Sequence, residues 1–150
     1  MTHSYVKLLY HIVFSTKDRE PLIVEAHQPR LYEYVGGIVR KHGGVPLAVN
    51  GMEDHLHLFA RLRQDVALSE IVRDLKASSS GWMHKVFPDL KDFAWQRGYG
   101  AFTVSESQAC VVRRYVERQK VKHRRLGFKE EFVSFLRAHG VEFDERYLWQ

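Results

Sequence analysis

Two kinds of hydrophobic spacing alternate along this chain, and their order limits the folds available to it. Strand spacing is found in 5–15, in both halves of 45–62 around a turn at 51–54, and in 101–105. Helical spacing is found in 26–43 and 66–87. The resulting order β-α-β-β-α-β predicts an α+β fold of the ferredoxin-like, split-βαβ kind, with an antiparallel sheet and both helices on one face.

Two more helices are predicted after the fourth strand. Ser105 and Gln108 have the spacing of a capping box, which predicts a helix over 106–123. A last amphipathic helix is predicted over 129–140, closed by Gly140. On this plan one sheet face stays open for a ligand, and the C-terminal helices are available to complete a site or a dimer. We expect all 150 residues to form a single domain.

The composition favours a soluble protein with a polyanionic partner. The net charge is +5 and the sequence pI is about 9.4. The single cysteine, Cys110, excludes an internal disulfide and a cysteine-based zinc site. No segment reads as a signal peptide, and the most apolar one, 5–15, is too short and too polar to span a bilayer. We therefore expect a cytoplasmic protein.

A histidine pair lies in the third predicted strand. Side chains two residues apart in a strand share a face, so His55 and His57 project together while Leu56 and Leu58 face the core. In a chain this rich in histidine, such a pair arises by chance roughly half the time. The pair alone is also compatible with two half-exposed histidines on a solvated sheet face.

The helix predicted over 106–123 offers partners for that pair. A metal held by two histidines needs a third ligand, and Gln119 can supply an oxygen. Tyr115 lies four residues earlier, on the same helical face, although such a pair is also compatible with ordinary packing. Seven cations and one acid fall within 113–125, a one-sided density that suits a phosphate backbone. The candidate DNA contacts are Arg113, Arg114, Arg118, Lys120 and Lys122, with Lys76 on the second predicted helix.

These motifs together resemble the single-tyrosine HUH transposases of small prokaryotic insertion sequences, the IS200-like group. The resemblance covers essentially the whole chain. "YHIVFSTKDREPLI" resembles the family's first strand, "DHLHLF" its HUH strand and "LSEIVRDLKASSS" the helix that follows. "WQRGYGAFTVS" resembles the lead-in to the tyrosine helix, and "VEFDERYLW" the C-terminal ending. Where many relatives have two adjacent histidines after the glutamine, this chain has His123 followed by Arg124.

The resemblance implies a transposase that cuts and joins single-stranded DNA beside subterminal hairpins through a 5′-phosphotyrosine. His55, His57 and Gln119 match the family's metal ligands, and Tyr115 matches its nucleophile. The implied cofactor is a divalent ion, Mg²⁺ or Mn²⁺, although two imidazoles and an amide suit Mn²⁺, Co²⁺ or Ni²⁺ better than Mg²⁺. The implied partners are single-stranded DNA with hairpin ends and a second copy of the chain. No membrane or small-molecule substrate is expected, and the expected location is the nucleoid.

Three other classes remain open on the sequence. They are an HUH nuclease working as a replication initiator or relaxase, a non-catalytic nucleic-acid-binding module, and a structural zinc protein. Among weaker candidates, Glu53 and Asp54 are placed to support the histidines. Trp95, Tyr99 and Phe102 suit base stacking, although core packing is the simpler interpretation.

Overall fold

A computed structural model describes residues 3–122 and 127–149, and its sheet confirms the predicted fold class. The strands are β1 (Leu8–Ser15), β2 (Val45–Met52), β3 (His55–Leu62) and β4 (Gly100–Val104). They lie in the order β2-β3-β1-β4, and every neighbouring pair is antiparallel. This order is that of the split-βαβ plan.

Two long helices cover one face of the sheet, as predicted. The α-helices of the described residues are α1 (Gln28–Lys41), α2 (Leu68–Val86), α3 (Ala109–Glu117), α4 (Gln119–Lys122) and α5 (Phe128–Ala138). Apolar side chains of β1 and β3 pack with those of α1 and α2 in the main core, among them Ile12, Phe14, Leu58, Val35 and Leu75. In the part of the chain that the structure describes, no helix has the length and apolar character needed to cross a membrane.

The opposite face of the sheet is covered too, so the prediction of an open face is wrong. Val13 and Phe102 pack there against α5, in a second cluster completed by Phe128, Phe132 and Leu136. A third cluster joins Leu9 and Phe59 to Val116 of α3. These sheet residues are apolar, and burying them under the C-terminal helices removes that surface from water.

The predicted capping box does not form. The Ser105 side chain makes no cap hydrogen bond, and its Oγ lies 3.0 Å from Ser107 Oγ. A single 3-10 turn, Glu106–Gln108, stands where the first helical turn was expected. The backbone N–H of Gln108 donates to the Ser105 carbonyl oxygen at 2.9 Å, so the backbone closes this turn without help from either side chain.

The helix predicted over 106–123 is also broken near its end. Arg118 leaves the helical conformation, with φ −101° and ψ 21°, and α4 begins at the next residue. No glycine or proline marks the position. Lys120 Nζ donates to Gln28 Oε1 at 2.7 Å and to the Gly51 carbonyl oxygen at 3.3 Å. These tertiary contacts hold α4 against α1 and β2 just after the break.

The turn between β2 and β3 is tighter than the predicted 51–54, because only Glu53 and Asp54 lie between the strands. Both are tied down by backbone hydrogen bonds. The N–H of Thr16 donates to the Asp54 carbonyl oxygen, and that of Ile23 to the Glu53 carbonyl oxygen, each at 2.9 Å. The first histidine of the pair therefore starts its strand at a fixed position.

The backbone beside this turn leaves no room for a side chain at Gly51, whereas Gly81 in α2 has space for one. A Cβ at Gly51 would overlap the His55 carbonyl oxygen, while nothing lies within 4 Å of one at Gly81. We expect Gly51→Ala to lower the free energy of unfolding by about 1–3 kcal/mol. Gly81→Ala, the control in α2, should raise it by about 0.5–1 kcal/mol. Urea unfolding followed by circular dichroism measures both, and equal stability of Gly51→Ala and wild type would contradict the close approach.

Candidate active site

The histidine pair lies on one face of β3, as its spacing predicts. Leu56 and Leu58 point into the main core on the other face. Both imidazoles are buried, with His55 at 1% and His57 at 0% exposure, so the half-exposed alternative is wrong. Buried imidazoles are costly without hydrogen-bond partners, and here the partners come from the C-terminal helices.

A single carboxylate, that of Glu131 in α5, lies at the centre of the site. Its Oε1 is 2.9 Å from His57 Nε2 and 3.6 Å from His55 Nε2. Its Oε2 accepts hydrogen bonds from the Tyr115 hydroxyl and, at 3.2 Å, from Gln119 Nε2. The predicted metal ligands His55, His57 and Gln119 and the predicted nucleophile Tyr115 are thus brought together around Glu131, which the sequence analysis did not identify.

The orientation of His55 is set on three sides. Asp54 Oδ1 accepts a hydrogen bond from His55 Nδ1 at 2.7 Å, which matches the supporting role considered for this turn acid. Gln119 Oε1 lies 3.1 Å from His55 Nε2. The Phe128 ring stacks on the imidazole with 4.2 Å between centroids. The ring therefore directs Nε2 toward the Glu131 carboxylate.

His57 has a different neighbour, His11 of β1. His11 Nε2 lies 2.8 Å from His57 Nδ1, and both rings are buried. Burial, and next the adjacent His57, lower the pKa of His11 well below its ordinary value.

The tyrosine is held in its protonated form by its surroundings. Burial is the largest cause that raises the pKa of Tyr115, followed by the negative charge of Glu131 and the hydrogen bond to it. Gln119 acts in the opposite direction. Phe135 packs edge-on against the Tyr115 ring, with 5.4 Å between centroids, and fixes its position.

Glu131 and His11 were missed from the sequence, although each leaves a signal. Phe128, Glu131, Phe132 and Phe135 share one face of α5, so an acid interrupts an apolar stripe. A charged residue in such a stripe calls for a buried partner. His11 lies between Tyr10 and Ile12 in an apolar strand, on the face that the predicted core did not use.

The predicted DNA-binding cations of α3 and α4 have different surroundings. Arg113 pairs with Glu117 at 3.2 Å on the exposed surface. Arg114 and Arg118 are exposed on either side of the tyrosine. Lys120 is engaged with α1 and β2 through the contacts that accompany the helix break.

Lys76 lies apart from this group, on α2 and against the other face of the sheet. Its Nζ donates to the carbonyl oxygens of Arg97 at 3.0 Å and Gly98 at 2.7 Å. Burial lowers the pKa of Lys76 to about 8. The side chain of Lys122 and the pair His123–Arg124 lie outside the residues that the structure describes.

Core packing is the observed role of two of the three aromatic candidates. Trp95 is buried, and its Nε1 donates to Ser79 Oγ at 2.9 Å. Phe102 is buried in the second cluster under α5. Tyr99 lies at the surface.

The buried cluster has the chemistry of a divalent-cation site. One ligand atom from each of His55, His57 and Glu131 lies within 4.8 Å of the others. Two imidazoles with a carboxylate suit transition metals such as Mn²⁺, and the carboxylate adds an oxygen ligand of the kind that Mg²⁺ prefers. The residues present therefore fit such a cation.

Comparison with known proteins identifies a family for this chain. The profile of the family described as "Transposase IS200 like" matches residues 4–119. The chain is similar to the ISDra2 transposase TnpA of Deinococcus radiodurans, with 27% identity over 121 residues that cover 77% of this chain and 86% of that protein. It is also similar to the transposase of insertion sequence element IS200 from Salmonella typhimurium, with 29% identity over 121 residues, covering 74% and 76%.

Solved structures share the fold. A crystal structure described as that of a candidate transposase from Deinococcus radiodurans R1 matches with a TM-score of 0.65 and 29% identity, covering 79% of this chain and 96% of that one. A REP-associated tyrosine transposase bound to a REP hairpin matches with a TM-score of 0.60 and 17% identity, covering 82% and 73%. Because the family profile spans most of the sequence and includes both the histidine pair and Tyr115, the chain belongs to the IS200-like transposase family.

Proposed function

We propose that this transposase cuts and rejoins single-stranded DNA at subterminal hairpins, through a 5′-phosphotyrosine at Tyr115 and with a divalent cation. The observation that carries the proposal is the meeting of the Tyr115 hydroxyl, two imidazoles and the Gln119 amide around one buried carboxylate. A nucleophile beside a set of cation ligands is what phosphoryl transfer to a tyrosine requires.

Glu131 is placed to act on the nucleophile. A phenol is protonated and a poor nucleophile at neutral pH, and the raised pKa of Tyr115 makes loss of its proton harder still. As the Tyr115 oxygen bonds to phosphorus, Glu131 Oε2 takes the phenolic proton. The bond from phosphorus to the 3′ oxygen breaks, and that oxygen takes a proton from water, while Glu131 releases the phenolic proton to solvent. The phosphotyrosine keeps the energy of the phosphodiester, so joining to a new 3′-OH needs no nucleotide cofactor.

The two carboxylate oxygens face different groups. Oε1 lies toward His55 and His57, and Oε2 toward Tyr115 and Gln119. We propose that His55, His57 and Glu131 hold the cation together with Gln119, the ligand that the family resemblance implies. When bound, a divalent cation supplies positive charge that polarises the phosphate oxygens.

Two observations support a DNA partner: exposed positive charge near the tyrosine, and a structural neighbour bound to a REP hairpin. The exposed cations Arg114 and Arg118 flank the tyrosine and suit a phosphate backbone. A structural neighbour of the same fold binds a REP hairpin, and we propose hairpin-ended single strands as the substrate here. We further propose a homodimer that works on DNA in the cytoplasm at the nucleoid. Val111 and Val121, which are exposed on α3 and α4, are candidate contacts between copies.

The first prediction from this proposed function is a covalent adduct that depends on Tyr115. Wild-type protein, Mn²⁺ or Mg²⁺, and single-stranded oligonucleotides copied from the DNA flanking its own gene should give a protein–DNA adduct that survives denaturation. Tyr115→Phe should give none, because it lacks the attacking oxygen. Gel electrophoresis under denaturing conditions detects the adduct.

Two controls make this test decisive. Tyr147→Phe changes an exposed tyrosine far along the chain and should leave adduct formation unchanged, while EDTA should abolish it. Hairpin binding by wild type without any adduct would instead favour a non-catalytic DNA-binding module.

The second prediction concerns metal affinity. Glu131→Gln removes the anionic ligand and should weaken Mn²⁺ binding by about tenfold or more. Glu130→Gln, on the adjacent exposed acid of the same helix, should bind Mn²⁺ like wild type. Isothermal titration calorimetry measures both, and equal affinities would remove Glu131 from the ligand set.

The third prediction concerns the tyrosine in metal-free protein. The negative charge of Glu131 raises the pKa of Tyr115, so Glu131→Gln should lower that pKa relative to wild type. NMR of tyrosines labelled at Cζ, with Tyr115→Phe to assign the signal, follows the ionisation. A Tyr115 pKa that is the same in Glu131→Gln and in Glu130→Gln would contradict the coupling.

A further inference from the structure

His11 reaches the site through the register of the sheet. In the pairing of β1 with β3, Val13 lies opposite His57 and His11 opposite Phe59. His11 is therefore two residues from the partner of His57 and shares its face. In the pairing with β4, His11 lies opposite Phe102. β1, one of the two central strands, thus places the His11 imidazole beside the histidine pair.

The contact between the two rings is direct and buried. His11 Nε2 lies 2.8 Å from His57 Nδ1, with His11 only 3% exposed and His57 fully buried. The rings are inclined by 24°, with 5.0 Å between centroids. Phe102 and Phe135 pack around His11. Two nitrogens at this distance share one proton in a hydrogen bond, so one ring donates and the other accepts.

The chemistry of ligation decides which ring donates. His57 Nε2 faces the Glu131 carboxylate and the other cation ligands, at 2.9 Å from Oε1. An imidazole that binds a cation through Nε2 needs a lone pair there, so its proton resides on Nδ1. That Nδ1 faces His11 Nε2, so His11 is the acceptor when a cation is bound. Without a cation, the contact of His57 Nε2 with the carboxylate calls for the proton on Nε2 instead.

We propose that His11 is a positioning residue for the metal ligand His57: when the cation is bound, neutral His11 accepts the Nδ1 proton of His57 and so aims the His57 Nε2 lone pair at the cation. This inference rests on the proposed function, since it assumes that His57 ligates a cation. On this proposal, His55 and His57 are oriented by different kinds of hydrogen-bond acceptor. His55 is oriented by the carboxylate of Asp54 in a turn, and His57 by an uncharged ring inside the protein.

The test measures the Mn²⁺ affinity of three variants by calorimetric titration in the absence of DNA. His11→Leu removes the acceptor and should weaken Mn²⁺ binding by about 10- to 100-fold. His11→Gln restores an acceptor oxygen and should recover most of the affinity. Phe102→Leu disturbs the same packing without a hydrogen bond to His57 and should bind Mn²⁺ like wild type.

Two more readouts separate positioning from a structural role. In His11→Leu, adduct formation should recover as Mn²⁺ is raised, because only the affinity has fallen. In the Zn²⁺-loaded wild type, nitrogen NMR should find the proton of the pair on His57 Nδ1, and this holds even if His11→Leu does not fold.

The outcomes for the two proposals are distinct. Unchanged Mn²⁺ affinity in folded His11→Leu, or a proton on His11 Nε2 in the Zn²⁺-loaded protein, would overturn the role of His11 while leaving the transposase proposal intact. Wild-type protein that binds no divalent cation would overturn the metal-dependent function itself.

Discussion

A buried carboxylate has to be matched by hydrogen-bond donors, and in this protein that carboxylate is Glu131. Removing a partner from a buried charge typically costs about 3–5 kcal/mol. The groups around Glu131 come from β3, α3 and α4, and the acid itself from α5. It is therefore satisfied only when the C-terminal helices are folded onto the sheet. The apolar clusters that pack α3 and α5 on the sheet therefore also bring together the residues of the candidate active site.

Much of the fold and part of the site could be read from local patterns. Strand alternation and helical spacing predict the order of elements, and period-two spacing predicts that His55 and His57 share a face. The break at Arg118 could not be predicted, because no local sequence signal marks it and the contacts made beside it by Lys120 are with residues far away in sequence. Glu131 was missed for the same reason, since its role depends on which sheet face α5 covers. The failed capping box at Ser105 shows that spacing alone does not determine hydrogen bonding.

The cations of the chain have two kinds of surroundings. Lys120 and Lys76 both donate to carbonyl or amide oxygens of the protein, and these contacts join elements distant in sequence. Arg114 and Arg118 are exposed. A count of cations thus overstates the number available to DNA, because a lysine that holds two elements together is less able to follow a phosphate.

The two-residue turn of Glu53 and Asp54 has a consequence for how this hairpin tolerates change in length. Exposed hairpin tips ordinarily accept inserted residues. Here both carbonyl oxygens accept backbone hydrogen bonds from the 16–23 segment, and the Asp54 side chain holds His55. An added residue would also change the loop length, which helps to fix the register of β2 with β3. Loop grafts and peptide tags therefore belong at other loops, because this one supports the candidate active site.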